Sequence, residues 1–169
     1  RNAGIASSGA ATPAASGAGP HSQSAAGAVS SAGLPAAAPR LSDQEWALQA
    51  LQILNTVDAA VADYHTATDF SPFSFRYHQL QQSAFDGFNR ALAQNETLWP
   101  ATQHVSDATT RDQFVFVMGN VGGFLHPTPD VAGDPGGPTL GDRVARSLQN
   151  AVAGSAAVRP RLEKLAGQR

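Results

Sequence analysis

The sequence predicts an all-α chain: a small antiparallel bundle of three to four helices behind a long N-terminal arm of disordered type. Three observations carry this reading. Apolar residues from position 43 onward recur at spacings of three and four, the helical period. Helix-start residues stand in front of these stretches. The one run that could be a buried strand, Phe114-Val115-Phe116-Val117-Met118, has no second strand to pair with, so it reads as helix.

The first helix is expected over about 43–66. Ser42-Asp43-Gln44-Glu45 fits a capping box, with Ser at the N-cap and Glu three residues on. Ala47, Ala50, Leu51, Leu54, Val57, Val61 and Tyr64 then form one apolar stripe, and Trp46, Ile53 and Ala60 widen it.

A second helix is expected over about 72–95. Ser71-Pro72 supplies a start, with Pro at the first helical position, where its missing N–H costs nothing. Phe73, Tyr77, Leu80, Ala84, Phe88 and Leu92 repeat almost every four residues, with Phe85 beside them. Asn95-Glu96-Thr97 and Pro100 mark the expected end. A link of about five residues makes the first two helices antiparallel.

The third helix is expected over about 107–123, on Phe114, Val117, Met118, Val121 and Leu125, with Thr109 or Thr110 near its cap. Gly119, Gly122 and Gly123 cost about 1 kcal/mol each inside a helix, which points to close packing or a helix end. Residues 126–139 form a loop of 14 residues with four Pro and three Gly, long enough to suggest a functional or wrapped segment. Thr139-Leu140-Gly141-Asp142 then caps a fourth helix whose stripe is Leu140, Val144, Leu148 and Val152. Pro160 either kinks this helix or opens a short last one with Leu162 and Leu165.

The domain reading is an arm or linker over 1–40 and a helical domain over 41–169. The first 40 residues hold 14 Ala, 7 Ser, 6 Gly and 4 Pro, and their only large apolar residues are Ile5, Val29 and Leu34. Such a segment buries too little apolar surface to offset an ordering cost of roughly 1–2 kcal/mol per residue. It reads as a flexible leader, or as an arm that orders on a partner. All twelve aromatic residues lie between Trp46 and Phe124. The chain opens on Arg1, which reads as the start of a processed product or of a fragment; as a processed end, its Ala/Ser-rich, acid-free start suggests an organelle or secreted protein.

Composition excludes several classes. With no cysteine there is no disulfide scaffold, thiolate zinc site, iron–sulfur cluster or thiol catalysis. No apolar run is long enough to span a bilayer as a helix. A net charge of −2 argues against a general nucleic-acid binder. That charge is unevenly placed. Residues 41–142 hold 12 acids and 3 bases, whereas 143–169 carry Arg143, Arg146, Arg159, Arg161, Lys164 and Arg169 against Glu163.

No catalytic motif is present. His65, His78, His104 and His126 form no H-E-x-x-H or Glu-x-x-His pair, and each reads as a helix-end or surface residue. The aspartates fall on polar faces, and Asp130, Asp134 and Asp142 lack the spacing of a calcium loop. There is no G-x-S-x-G, and the glycines at 119, 122 and 123 lack the Lys-Ser/Thr of a phosphate loop. No motif names a cofactor.

Most aromatics are expected in the core, Trp46 and Trp99 among them. Phe70, Phe75 and Phe116 fall off the main stripes and are candidate partner-binding residues. Arg159, Arg161 and Lys164 lie beyond the predicted stripe of the last helix and join them. The expected function is a non-catalytic structural or adaptor subunit that binds other protein subunits. The alternatives are a bundle binding a small ligand such as a tetrapyrrole or lipid, with His78 or Met118 as axial ligand, and a secreted effector domain binding a host protein.

Overall fold

The computed structural model describes residues 40–128 and 138–167. The predicted arm over 1–40 and the middle of the 126–139 loop lie almost wholly outside these residues. The described residues form four helices: α1 (Asp43–Ala67), α2 (Phe75–Thr102), α3 (Ala108–Leu125) and α4 (Leu140–Leu165). No strand occurs among them, so the all-α bundle expected from the sequence is the architecture found.

Every helix begins on a side-chain cap that takes up an otherwise unpaired backbone N–H. Ser42 and Glu45 form the expected capping box, and Thr139 and Asp142 form a second. Ser74 caps α2, accepting from the Tyr77 N–H at 3.1 Å. Asp107 caps α3 through the Thr110 N–H at 3.0 Å.

Three boundaries differ from expectation. α2 begins at Phe75, not Pro72, because Ser71-Pro72-Phe73-Ser74 closes a turn of its own, with the Ser74 N–H on the Ser71 carbonyl at 2.9 Å. Proline suits the second position of such a turn as well as the first turn of a helix. α2 also runs on through Pro100 to Thr102. Its last turn is held by tertiary contacts: Leu98 and Thr102 are buried, and the Trp46 indole N–H donates to Thr102 Oγ1 at 2.9 Å. The carbonyl that Pro100 leaves without a partner belongs to Glu96, an exposed residue open to water. α4 passes through Pro160 in the same way, its orphaned carbonyl on exposed Ala156, and no separate last helix forms.

The helices pack as a square in which α1 neighbours α2 and α4, and α3 neighbours α2 and α4. Neighbours run antiparallel. The start of α1 lies at the end of α4, where Gln44 Nε2 donates to the Ala166 carbonyl at 3.1 Å. Along α1 and α2, Trp46 meets Thr102 while Asp63 accepts from the Ser83 hydroxyl. Along α3 and α4, Asn150 Nδ2 donates to Asn120 Oδ1 at 3.3 Å, and Gly123 lies beside Ser147.

Both stripes predicted for α1 are buried, from Trp46 to Ala60. In α4 the buried line is Leu148, Ala151, Ser155, Val158 and Leu162, while Leu140 and Val152 are exposed. The predicted stripe of fours drifts off this face because 3.6 residues make a turn. The buried line alternates threes and fours and follows the core. Aromatic rings on α1, α2 and α3 meet across it. Trp46 meets Phe114 edge-on at 5.5 Å, and Phe124 meets Tyr64 at 5.3 Å and Phe88 at 5.1 Å.

Candidate functional site

The surface is built outward from the link between α1 and α2, residues 68–74. α1 closes when the Thr68 N–H and hydroxyl both reach the His65 carbonyl. Asp69 and Phe70 continue this turn through bonds to the Thr66 and Ala67 carbonyls, and the Ser71–Ser74 turn follows directly. The link is therefore hydrogen-bonded along its length, and it holds its side chains outward. Phe73 is 95% exposed, Phe75 is 83% exposed and Phe70 is 39% exposed.

A second feature lies along the flank of α3. A groove of 510 Å³ runs between α3 and α4, lined by Thr109, Asp112, Gln113, Phe116, Gly154 and Ala157. Phe116 is 54% exposed at its edge. The helices approach here because position 154 has no side chain: a Cβ on Gly154 would lie 2.8 Å from Val117 Cγ2. A smaller hollow on the other side of Asp112 is lined by Trp99, Arg111 and Val115.

Of the six predicted partner residues, Phe70, Phe75 and Phe116 are exposed as expected, in two separate places. Arg161 and Lys164 are exposed on the last turns of α4. Arg159 does not reach outward. It lies on α1, ion-paired with Asp58 and donating to Asn55 Oδ1 at 2.9 Å, while the Ser155 hydroxyl also donates to Asp58. The physical reason is the line of Val158 and Leu162, which carries the core beyond the predicted stripe and turns Arg159 toward the acidic first helix.

Three aromatics expected in the core are exposed, Phe85 among them at 37%, where it stacks on Phe124. Phe73, placed in the core by its spacing, is the most exposed of the large apolar residues, and Trp99 is also exposed rather than core. Phe73 was legible: Ser74 stands three residues before Tyr77, a cap that competes with Ser71-Pro72 and puts Phe73 ahead of the helix. Trp99 falls off the Ala84, Phe88, Ala91 and Leu98 face once α2 is continued past Asn95.

The four folded-part histidines, His78 among them, are all exposed, and Met118 is buried in the core. Among the described residues no group of three or more His, Asp or Glu side chains converges to hold a metal. No helix among them is long and apolar enough to cross a membrane.

Among the described residues the perturbed carboxyls all belong to helix caps. The Ser42 backbone N–H, then its hydroxyl, holds Glu45 below the ordinary carboxylate range. The Thr110 backbone N–H, then its hydroxyl, does the same for Asp107. The Thr139 hydroxyl, then its backbone N–H, does so for Asp142. These groups serve helix starts and do not converge as a catalytic pair.

No family model, curated protein or solved structure matches the chain. The class defined by fold and surface is therefore a four-helix bundle with an exposed aromatic turn.

Proposed function

We propose that this chain is a non-catalytic structural or adaptor subunit of a larger protein assembly, which it joins through exposed aromatic surface. The observation that carries the reading is the turn between α1 and α2, where hydrogen bonds hold Phe73 and Phe75 in water. A phenylalanine buries roughly 150–250 Å² when covered. Left exposed, it adds nothing to its own core, and aromatic anchors of this kind dominate protein interfaces.

The test is the size of the native particle. In an extract of its source cells, the tagged chain is expected to elute from gel filtration well above its own 17.4 kDa. Phe73→Asp/Phe75→Asp should shift it toward the free size while leaving its melting midpoint unchanged. Elution of the unmodified chain at its own mass would contradict the reading.

A further inference from the structure

We infer that the α1–α2 turn is a self-complementary surface on which a second copy of this chain docks about a two-fold axis. The inference rests on the docking role just proposed and names the partner. The surface reads Asp69-Phe70-Ser71-Pro72-Phe73-Ser74-Phe75-Arg76, with an acid on one flank, a base on the other and three phenylalanines between.

A two-fold interface sets a patch against itself, so that residue i meets j and j meets i. Two such turns laid antiparallel place Asp69 against Arg76 of the second copy, twice, with the phenylalanines stacked between. Flanks of one sign would repel in the same arrangement. Asp69 makes no ion pair among the described residues, and the Arg76 guanidinium bonds only to the neutral Gln79 Oε1, at 2.9 Å.

Area sets the strength of the contact. At about 200 Å² per phenylalanine, the three exposures amount to roughly 430 Å² on each copy. Two copies would bury roughly 850 Å² from these residues, below the ~1,200 Å² at which stable interfaces begin. The dimer is therefore weak and concentration-dependent, suited to a contact reinforced inside a larger assembly. An anionic membrane is the less favoured occupant. Near this end of the bundle the described acids Asp63, Asp69 and Asp142 match Arg76, Arg143 and Arg146, which leaves no positive surplus.

Sedimentation velocity of the purified full chain from about 10 μM to 1 mM tests this. A monomer–dimer equilibrium is expected, weakened at least about tenfold by Phe73→Asp/Phe75→Asp. Asp69→Arg or Arg76→Asp alone should weaken it by about tenfold, since like charges then face each other. The double swap Asp69→Arg/Arg76→Asp should return it to within about threefold. All four positions are exposed, so equal melting midpoints will show that the variants fold. A monomer at 1 mM, a dimer indifferent to Phe73, or a double swap as weak as its single changes would overturn the inference. Phe73-dependent flotation with phosphatidylserine vesicles, without a dimer, would also overturn it and assign the turn to a membrane. A monomeric purified chain whose particle in extract still depends on Phe73 would overturn self-docking alone and leave the subunit reading standing.

Discussion

A Cβ at Gly87 of α2 would lie 2.8 Å from the Ala60 Cβ of α1, and one at Gly154 of α4 would lie 2.8 Å from the Val117 Cγ2 of α3. Each hairpin thus uses one glycine to let its helices approach, yet the two pairs differ in what surrounds that contact. The first hairpin is joined by seven hydrogen-bonded residues that carry Phe70 and Phe73 outward, with Phe75 exposed at the start of α2. The second is joined through the Pro/Gly-rich stretch 126–139, and its flank holds the α3–α4 groove. α1 buries a wide face of Trp, Leu, Ile and Val, whereas α4 buries a narrow line that includes Ala151 and Ser155. The contrast teaches that approach distance and core breadth are separate properties: a small residue can set the first without the second.

The largest test is whether the hairpins share one cooperative core. Leu54 of the first and Leu162 of the second are both fully buried. Replacing either with Ala should cost about 2–5 kcal/mol in denaturant unfolding. Near-neutral behaviour of Leu162→Ala would detach the second hairpin from that unit.

Next come the two glycines. Gly87→Ala should destabilise by about 1–3 kcal/mol, because the opposing Ala60 Cβ retreats only if a helix moves. Gly154→Ala should cost less than about 1 kcal/mol. Val117 can give by rotating its side chain, at about 0.5–1.5 kcal/mol, and alanine gains about 1 kcal/mol over glycine in a helix. Equal losses in chemical melts would remove the distinction between the two crossings.

A smaller effect joins the hairpins directly. The Arg159–Asp58 pair links α4 to α1 and is partly exposed on both sides. A double-mutant cycle on it should return no more than about 1 kcal/mol. A much larger coupling would make the pair, rather than the apolar line, the main tie between these helices.

Acid sharpens the comparison further. Glu45, Asp107 and Asp142 have carboxyls held below their ordinary range. A depressed folded value means a contribution that is present at neutral pH and lost as pH falls through that lowered value. Two of these caps start α3 and α4 and one starts α1, whereas α2 is capped by Ser74, which does not titrate. Below the usual carboxylate range, amide exchange should therefore rise in the first turns of α1, α3 and α4 before that of α2. Uniform fraying of all four starts would contradict this.

Much of the fold was legible in the sequence because the signals were local. The capping boxes at Ser42 and Thr139 and the double stripe of α1 need no partner to be read. What escaped depended on contacts distant along the chain. Thr102 could not be placed inside α2 without the indole of Trp46, and Arg159 could not be turned inward without Asp58. On the surface, Phe70, Phe75 and Phe116 departed from their stripes visibly, while Phe73 obeyed the spacing and was betrayed only by the competing cap at Ser74.

The bundle divides its aromatics between those that make the core and those that face outward. The most direct measurement compares the unfolding free energies of Phe88→Ala and Phe73→Ala in denaturant, at low micromolar concentration. Phe88 is fully buried and Phe73 almost fully exposed. The expected losses are about 3–5 kcal/mol for Phe88→Ala and within about 0.5 kcal/mol for Phe73→Ala. A loss above about 2 kcal/mol for Phe73→Ala would place that ring in the core and contradict the account.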